Sequence, residues 1–169
     1  MVDGGLRKMK MRRHKQQIPV SEAKGILIKA TNGVLCFSDN QGIPYGVPMS
    51  FIYDGDYSIY FHCALAGRKI ECIKNNHNAC FTIIDQDEIH PEKFTTYFRS
   101  VIVEGKISIL EEKSQIIEAL RLLSTKYSPG LNCEPEIAKG IDRVLILKLK
   151  IDSISGKEAI ELSKSLNKD

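Results

Sequence analysis

No stretch of this sequence approaches the ~20 consecutive apolar residues that a membrane-spanning helix requires, so a transmembrane protein is not expected. The N-terminal stretch also lacks the apolar h-region of a signal peptide, which points to a cytoplasmic protein. Cysteine pairing motifs are missing too. Cys36, Cys63, Cys72, Cys80 and Cys133 are odd in number, widely spaced and form no Cys-x-x-Cys, so neither a zinc site nor a disulfide framework is expected. His14, His62, His77 and His90 show no metal spacing either. There is no Gly-x-Gly-x-x-Gly fingerprint, which leaves no resident nicotinamide dinucleotide domain.

Net charge is also small. The formal net charge is +3, too small to mark the body of the chain as a polyanion binder. Arg7, Lys8, Lys10, Arg12, Arg13 and Lys15 account for the excess, and without them 18 basic residues face 21 acidic ones. The basic segment 1–17 therefore reads as a flexible, solvated N-terminal arm, with nucleic-acid anchoring the weaker alternative.

What is present suits one globular domain. A chain of 169 residues with 43% hydrophobic and 27% charged residues is neither disordered nor in need of staples. The expected domain runs over 18–160, followed by a tail, 161–169. Ser21 is a candidate cap for a short helix reaching Ala30, with Asn32-Gly33 as its stop. Val34–Phe37 and Ile43–Tyr53 read as a hairpin, and a third strand begins near Tyr57. Tyr45, Val47, Met49, Phe51 and Tyr53 share one face of the second strand. Pro44 and Pro48 cannot donate to a ladder, so that strand must lie at an edge, a bulge or an open stretch of backbone.

In the third strand Tyr57, Ile59, Phe61 and Cys63 share one face and Ser58, Tyr60 and His62 the other. The chain then enters a short amphipathic helix, 67–75, and a fourth strand, Ala79–Ile84. The reading continues with a polar loop from Asp85 to Lys93 and a long strand, Thr95–Leu110, in which Gly105 marks a bulge. A helix with Ile116, Leu120, Leu123 and Tyr127 on one stripe follows, then a helical turn near Glu136 and a last strand, Arg143–Ile151. Six strands in close succession with few helices favour an antiparallel barrel over a parallel βαβ sheet.

Two segments carry candidate chemistry. Phe61-His62-Cys63-Ala64-Leu65-Ala66-Gly67-Arg68-Lys69 combines a strand end, a glycine at a helix start and adjacent cations, a setting for phosphate. The alternative is that Arg68 and Lys69 are simply solvated. Gly46-Val47-Pro48-Met49-Ser50-Phe51 offers backbone polar groups beside an apolar face, suited to a flat heteroaromatic ring or, alone, to an irregular edge strand.

In this order, and followed by Ser100-Val101-Ile102-Val103-Glu104-Gly105, these segments resemble the flavin-binding split barrels. Within them the sequence is similar to the nitroimidazole-resistance branch of the pyridoxamine 5'-phosphate oxidase-like family. Met11-Arg12-Arg13, the loop 33–42 and Thr95-Thr96-Tyr97-Phe98-Arg99-Ser100 carry the same likeness, which covers about residues 11–155. The resemblance implies a mainly β fold with flanking helices, an antiparallel six-stranded split barrel. It also implies a homodimer with FMN, or FAD, at the subunit interface.

On this resemblance Arg68 and Lys69 hold the phosphate and Gly67 allows close approach. Val47, Pro48, Met49 and Ser50 line the ring, Phe61 and His62 adjoin it, and Thr95 and Ser100 reach toward ring or partner. His62 is the candidate catalytic residue, supplying a proton. The oxidases proper carry a C-terminal Arg-rich, His-containing motif and a Trp for the pyridoxal substrate, whereas this chain has no Trp. The implied activity is therefore an FMN-dependent reductase of nitroimidazoles or other small aromatic acceptors, with NAD(P)H as a transient reductant. The alternative is a flavin- or haem-binding protein without turnover.

Overall fold

The computed structural model describes residues 11–165. In chain order the strands are β1 (Gln17–Ile18), β2 (Asn32–Ser38), β3 (Pro44–Ser50), β4 (Ile52–Tyr53), β5 (Ser58–Ala64), β6 (Asn78–His90), β7 (Thr95–Ile109) and β8 (Val144–Glu158). The helices are α1 (Val20–Lys29), α2 (Arg68–Asn75), α3 (Lys113–Tyr127), α4 (Glu134–Gly140) and α5 (Ile160–Ser165). All ladders are antiparallel, in the order β3-β2-β6-β7-β8-β5-β4, with β1 added along β8. The ends of this path are one piece of chain, because only Phe51 separates β3 from β4. A single extended segment thus pairs with β2 through its first half and with β5 through its second, which closes the sheet into a split barrel.

The six longer strands match the expected barrel, and two strands of two residues each add to it. Strand alternation fills the interior. Leu35, Phe51, Ile59, Phe61, Phe81, Ile83, Val101, Val103, Leu147 and Leu149 are all fully buried. At the centre the Phe81 ring meets Phe51 at 4.8 Å and Phe61 at 5.0 Å, both edge-on, a geometry that adds about 0.5–1.5 kcal/mol per pair beyond area burial. A smaller cluster of Leu110, Ala119, Leu123 and Ile146, flanked by Ile116 and Leu120, seats α3 on the outside of the barrel.

Several local expectations are corrected. α1 starts at Val20 after Pro19, without a side-chain cap, so Ser21 is not the capping residue. Asn32-Gly33 opens β2 instead of ending the helix. Gly33 is required there because a Cβ would stand 2.6 Å from both the Phe81 ring and the Thr82 carbonyl oxygen. The polar stretch after Ile84 is strand, not loop: β6 continues to His90, pairing with Thr95–Arg99 after a bulge at Asp85. Its polarity reflects an exposed hairpin. β8 likewise runs on to Glu158, and α5 occupies part of the expected tail.

Gly105 does lie at a bulge. The register shifts between Glu104 and Gly105, and a Cβ on Gly105 would meet the Lys150 carbonyl oxygen at 2.0 Å. Of the basic arm, residues 1–10 lie outside the described residues. His14–Gln16 form a 3-10 turn, Gln16 and Ile18 are buried, and β1 pairs with Gly156 and Lys157.

Candidate functional site

Among the described residues β3 pairs with β2 alone, so its other edge is open, as its prolines required. The register sharpens this. Pro44 and Pro48 face Ser38 and Val34, and a proline fits an antiparallel ladder only where its missing N–H points away from the partner. Gly46 and Ser50 share that parity. Their N–H groups, and the carbonyls of Pro44, Gly46, Pro48 and Ser50, are therefore turned to the open edge. Val47 and Met49 face inward and are half-buried, whereas Pro48 and Ser50 face outward and are exposed. A flat ring laid along this edge would meet the backbone of Pro48 and Ser50, whereas Val47 and Met49 give their backbone groups to β2 and could reach it only through their side chains.

Beside this edge stands the start of α2. Gly67 takes φ 132°, a conformation L side chains rarely adopt, and nothing lies within 4 Å of where its Cβ would be. Its carbonyl accepts from the N–H groups of Ile70 and Glu71, while those of Arg68 and Lys69 belong to the first helical turn, which has no intrahelical acceptors. The helix start thus offers N–H donors, the positive end of the helix dipole and adjacent cations in open space. The Arg68 guanidinium lies 4.5 Å above the ring of Tyr45 on β3, and Tyr45 in turn stacks on Phe37. This contact joins the two candidate segments in space.

Lys69 is half-exposed. Burial pushes the Cys63 thiol above its ordinary value, and the charge of Lys69 partly offsets that. His62 is exposed on β5, opposite Ile146 of β8, and no hydrogen bond or ion pair to it occurs among the described residues. Its imidazole is available to solvent or ligand.

Phe61 is a correction. Alternation turns its side chain inward, where it is fully buried against Phe81, so the ring cannot line a ligand. Thr95 and Ser100 are not brought to α2 within one chain. Tyr45 pairs with Phe37, which lies level with Ala79 and its partner Gly105. At ~3.4 Å per residue, Ser100 and Thr95 lie roughly 17 and 34 Å farther along β7. Sequence reasoning missed Tyr45, whose only local signal was an aromatic residue beside Pro44.

The seam at Phe51 is sealed by different means. Its N–H donates to the Tyr127 hydroxyl at 2.8 Å, and that hydroxyl has both the Phe51 carbonyl, at 2.9 Å, and the Thr31 carbonyl within reach of its one proton. Lys126 donates to the Ala30 carbonyl, with its ammonium 4.1 Å above the Phe51 ring. Burial holds its pKa below the ordinary lysine value. A separate cavity of about 280 Å³ opens between α3 and β5, lined by Asp54, Tyr60, Glu118 and Lys148, and does not reach the open edge.

A family model described as pyridoxamine 5'-phosphate oxidase matches residues 19–158. Among solved structures, the chain is similar to a candidate 5-nitroimidazole antibiotic resistance protein from Bacteroides thetaiotaomicron VPI-5482. That pair shares 24% identity over 84% of this chain and 86% of the other, with a TM-score of 0.73. Flavocytochrome Anf3 from Azotobacter vinelandii is also 24% identical, over 90% of this chain and 73% of its own, with a TM-score of 0.76. The FAD and haem binding protein from Mycobacterium smegmatis is 17% identical over 86% and 73%, with a TM-score of 0.70. At these identities the likeness shows the fold. No curated protein matches the sequence.

Proposed function

The chain belongs to the pyridoxamine 5'-phosphate oxidase family, and from that premise we propose that it binds FMN along the open edge of β3 and reduces small aromatic acceptors with it. One observation carries this reading: the Arg68–Tyr45 contact, which sets a cationic helix start beside a strand edge rich in unpaired backbone groups. The residues fit the cofactor. The open space over Gly67 admits a phosphate, Arg68 and Lys69 neutralise it, and the Gly46 and Ser50 N–H groups and neighbouring carbonyls match the donors and acceptors on a flavin ring edge. Bound there, the flavin would supply the hydride-transfer chemistry of the reduction, with NAD(P)H as the proposed reductant. His62 supplies the accompanying proton from its exposed position at the end of β5.

The protein acts as a homodimer in this reading. Thr95 and Ser100 are too far from Arg68 to complete the site of their own chain, so they serve the site of a second copy. The apolar residues of the β6–β7 hairpin support such a contact: Ile84, Ile89 and Phe94 are exposed, Phe94 almost completely.

The absorption spectrum of the purified protein tests the reading, followed by anaerobic NADH or NADPH. A flavin band that bleaches and recovers with a nitroaromatic is expected. A flavin band that persists overturns the reductase, leaving a binding protein, and a Soret band in place of flavin overturns the cofactor. Light scattering should give twice the 19.0 kDa chain mass, and a flavin-loaded monomer would overturn the shared site.

A further inference from the structure

β2 and β6 are held in a register that sets Cys36 directly opposite Cys80. Both are free thiols, half-buried on the outer face of the barrel, whereas Cys63 and Cys72 are buried. The prolines of β3 fix the geometry of this pair. Since Val34 faces Pro48, Val34 and Cys36 turn their backbone groups away from β3 and toward β6. Cys36 and Cys80 are therefore a hydrogen-bonded pair, with Cα atoms about 5.5 Å apart. That lies inside the roughly 4.4–6.8 Å that disulfides span. The Cβ atoms of a hydrogen-bonded pair, however, stand about 5.5 Å apart, wider than the ~3.5–4.5 Å of a relaxed disulfide, so the two strands must draw together locally and the bond formed is strained and readily reduced.

The sulfurs are lightly held. Cys36 Sγ lies 3.9 Å from the Val34 carbonyl oxygen and Cys80 Sγ lies 3.9 Å from Thr82 Oγ1, weak contacts that a χ1 rotation gives up easily. On the β3 side Cys36 faces Gly46, which has no side chain to cover it; a Cβ there would sit 3.5 Å from the sulfur. With Gly46 leaving it uncovered, Cys36 is the thiol a small oxidant reaches first, and burial, which raises the Cys80 thiol above its ordinary value, agrees with Cys80 following.

We propose that Cys36 and Cys80 are a redox pair that closes to a cross-strand disulfide when the protein meets a peroxide. The Cys36 thiolate attacks one peroxide oxygen, forming an S–O bond as the O–O bond breaks and the other oxygen leaves as water. Cys36 is thereby oxidised to a sulfenic acid. The Cys80 sulfur then attacks the Cys36 sulfur, the S–O bond breaks, and the second oxygen leaves as water carrying the thiol proton. Two thiols and one hydrogen peroxide give one disulfide and two waters. The bond ties β2 to β6 directly behind Gly46, the middle of the open-edge strand. The chemistry does not depend on the flavin reading.

The test treats fully reduced protein with a small excess of hydrogen peroxide, then denatures it and titrates its thiols. Two of the five thiols should disappear, the chain should lose the mass of two hydrogens, and peptide mapping should join the Cys36 and Cys80 segments. Dithiothreitol should restore all five. Cys36→Ser and Cys80→Ser should each abolish the link, and Cys133→Ser should leave it intact. Five titratable thiols after treatment, a link to Cys133 or between chains, or an oxygen adduct without a link would overturn the proposal.

Discussion

Pro44–Ser50 and Ile52–Tyr53 are separated by one residue, yet the two halves of this extended segment handle their backbone polar groups in opposite ways. The first half leaves one edge unpaired beside the α2 start. The second half pairs with β5, and at the junction both polar groups of Phe51 are taken up by one phenol from α3. Unpaired backbone is tolerated only where water or a ligand can satisfy it, so in the proposed reading the first half takes up the ligand while the second holds the barrel shut. If this is right, substitutions at the two halves should separate occupancy from stability.

The largest effect is expected at the open half. Charge-assisted hydrogen bonds contribute about 1.5–3 kcal/mol each, so Arg68→Ala with Lys69→Ala should weaken flavin binding ~10²–10⁴-fold. The doubly substituted protein should purify colourless with an unchanged circular dichroism spectrum. Undiminished flavin occupancy would remove the phosphate assignment.

At the closed half, Tyr127→Phe takes away the hydroxyl that satisfies Phe51, leaving buried backbone groups unpaired at a cost of about 1–3 kcal/mol. The melting temperature should fall by about 2–4 °C per kcal/mol while flavin occupancy is maintained. Loss of cofactor with unchanged Tm would break the comparison from this side.

His62→Ala tests the proposed proton donor, an exposed residue of β5, without touching the core. Flavin and dimer should be retained, and reoxidation by a nitroaromatic should slow at least tenfold, about 1.4 kcal/mol of barrier. A wild-type rate would reduce His62 to a wall of the pocket.

The smallest effect concerns pH and the seam. Lys126 has a lower pKa folded than unfolded, so over the window between those values, below the ordinary lysine pKa of 10.5, the unfolded chain binds more protons. Stability should therefore rise as pH climbs through that window and decline as pH falls. Partial exposure of the ammonium keeps the amplitude small. Lys126→Met should flatten this part of the profile, as read by urea midpoints at several alkaline pH values.

Much of the barrel is legible from local rules. Alternation in 45–53 and 59–63, the edge forced by Pro44 and Pro48, the helix start at Gly67 and the bulge at Gly105 each follow from one residue's backbone chemistry or a period of two. The errors arise where polarity reports position rather than backbone state. Asp85–His90 is polar because its hairpin stands off the barrel, and its pairing with β7 is nonlocal. Phe61 shares a face with Ile59, but only the arrival of Phe81 from another strand makes that face the core.

The sequence by itself determined which segments are extended, where glycine and proline must break the regular pattern, and that cations follow a strand at a helix start, because these depend on residues within a few positions of one another. Only the tertiary structure decided the closure at Phe51, the stacking of Arg68 on Tyr45, the bond from Tyr127 to Phe51 and the pairing of Cys36 with Cys80. Each joins residues far apart in the chain, and their meeting depends on strand order and register, which are fixed by how the whole core packs rather than by any local propensity.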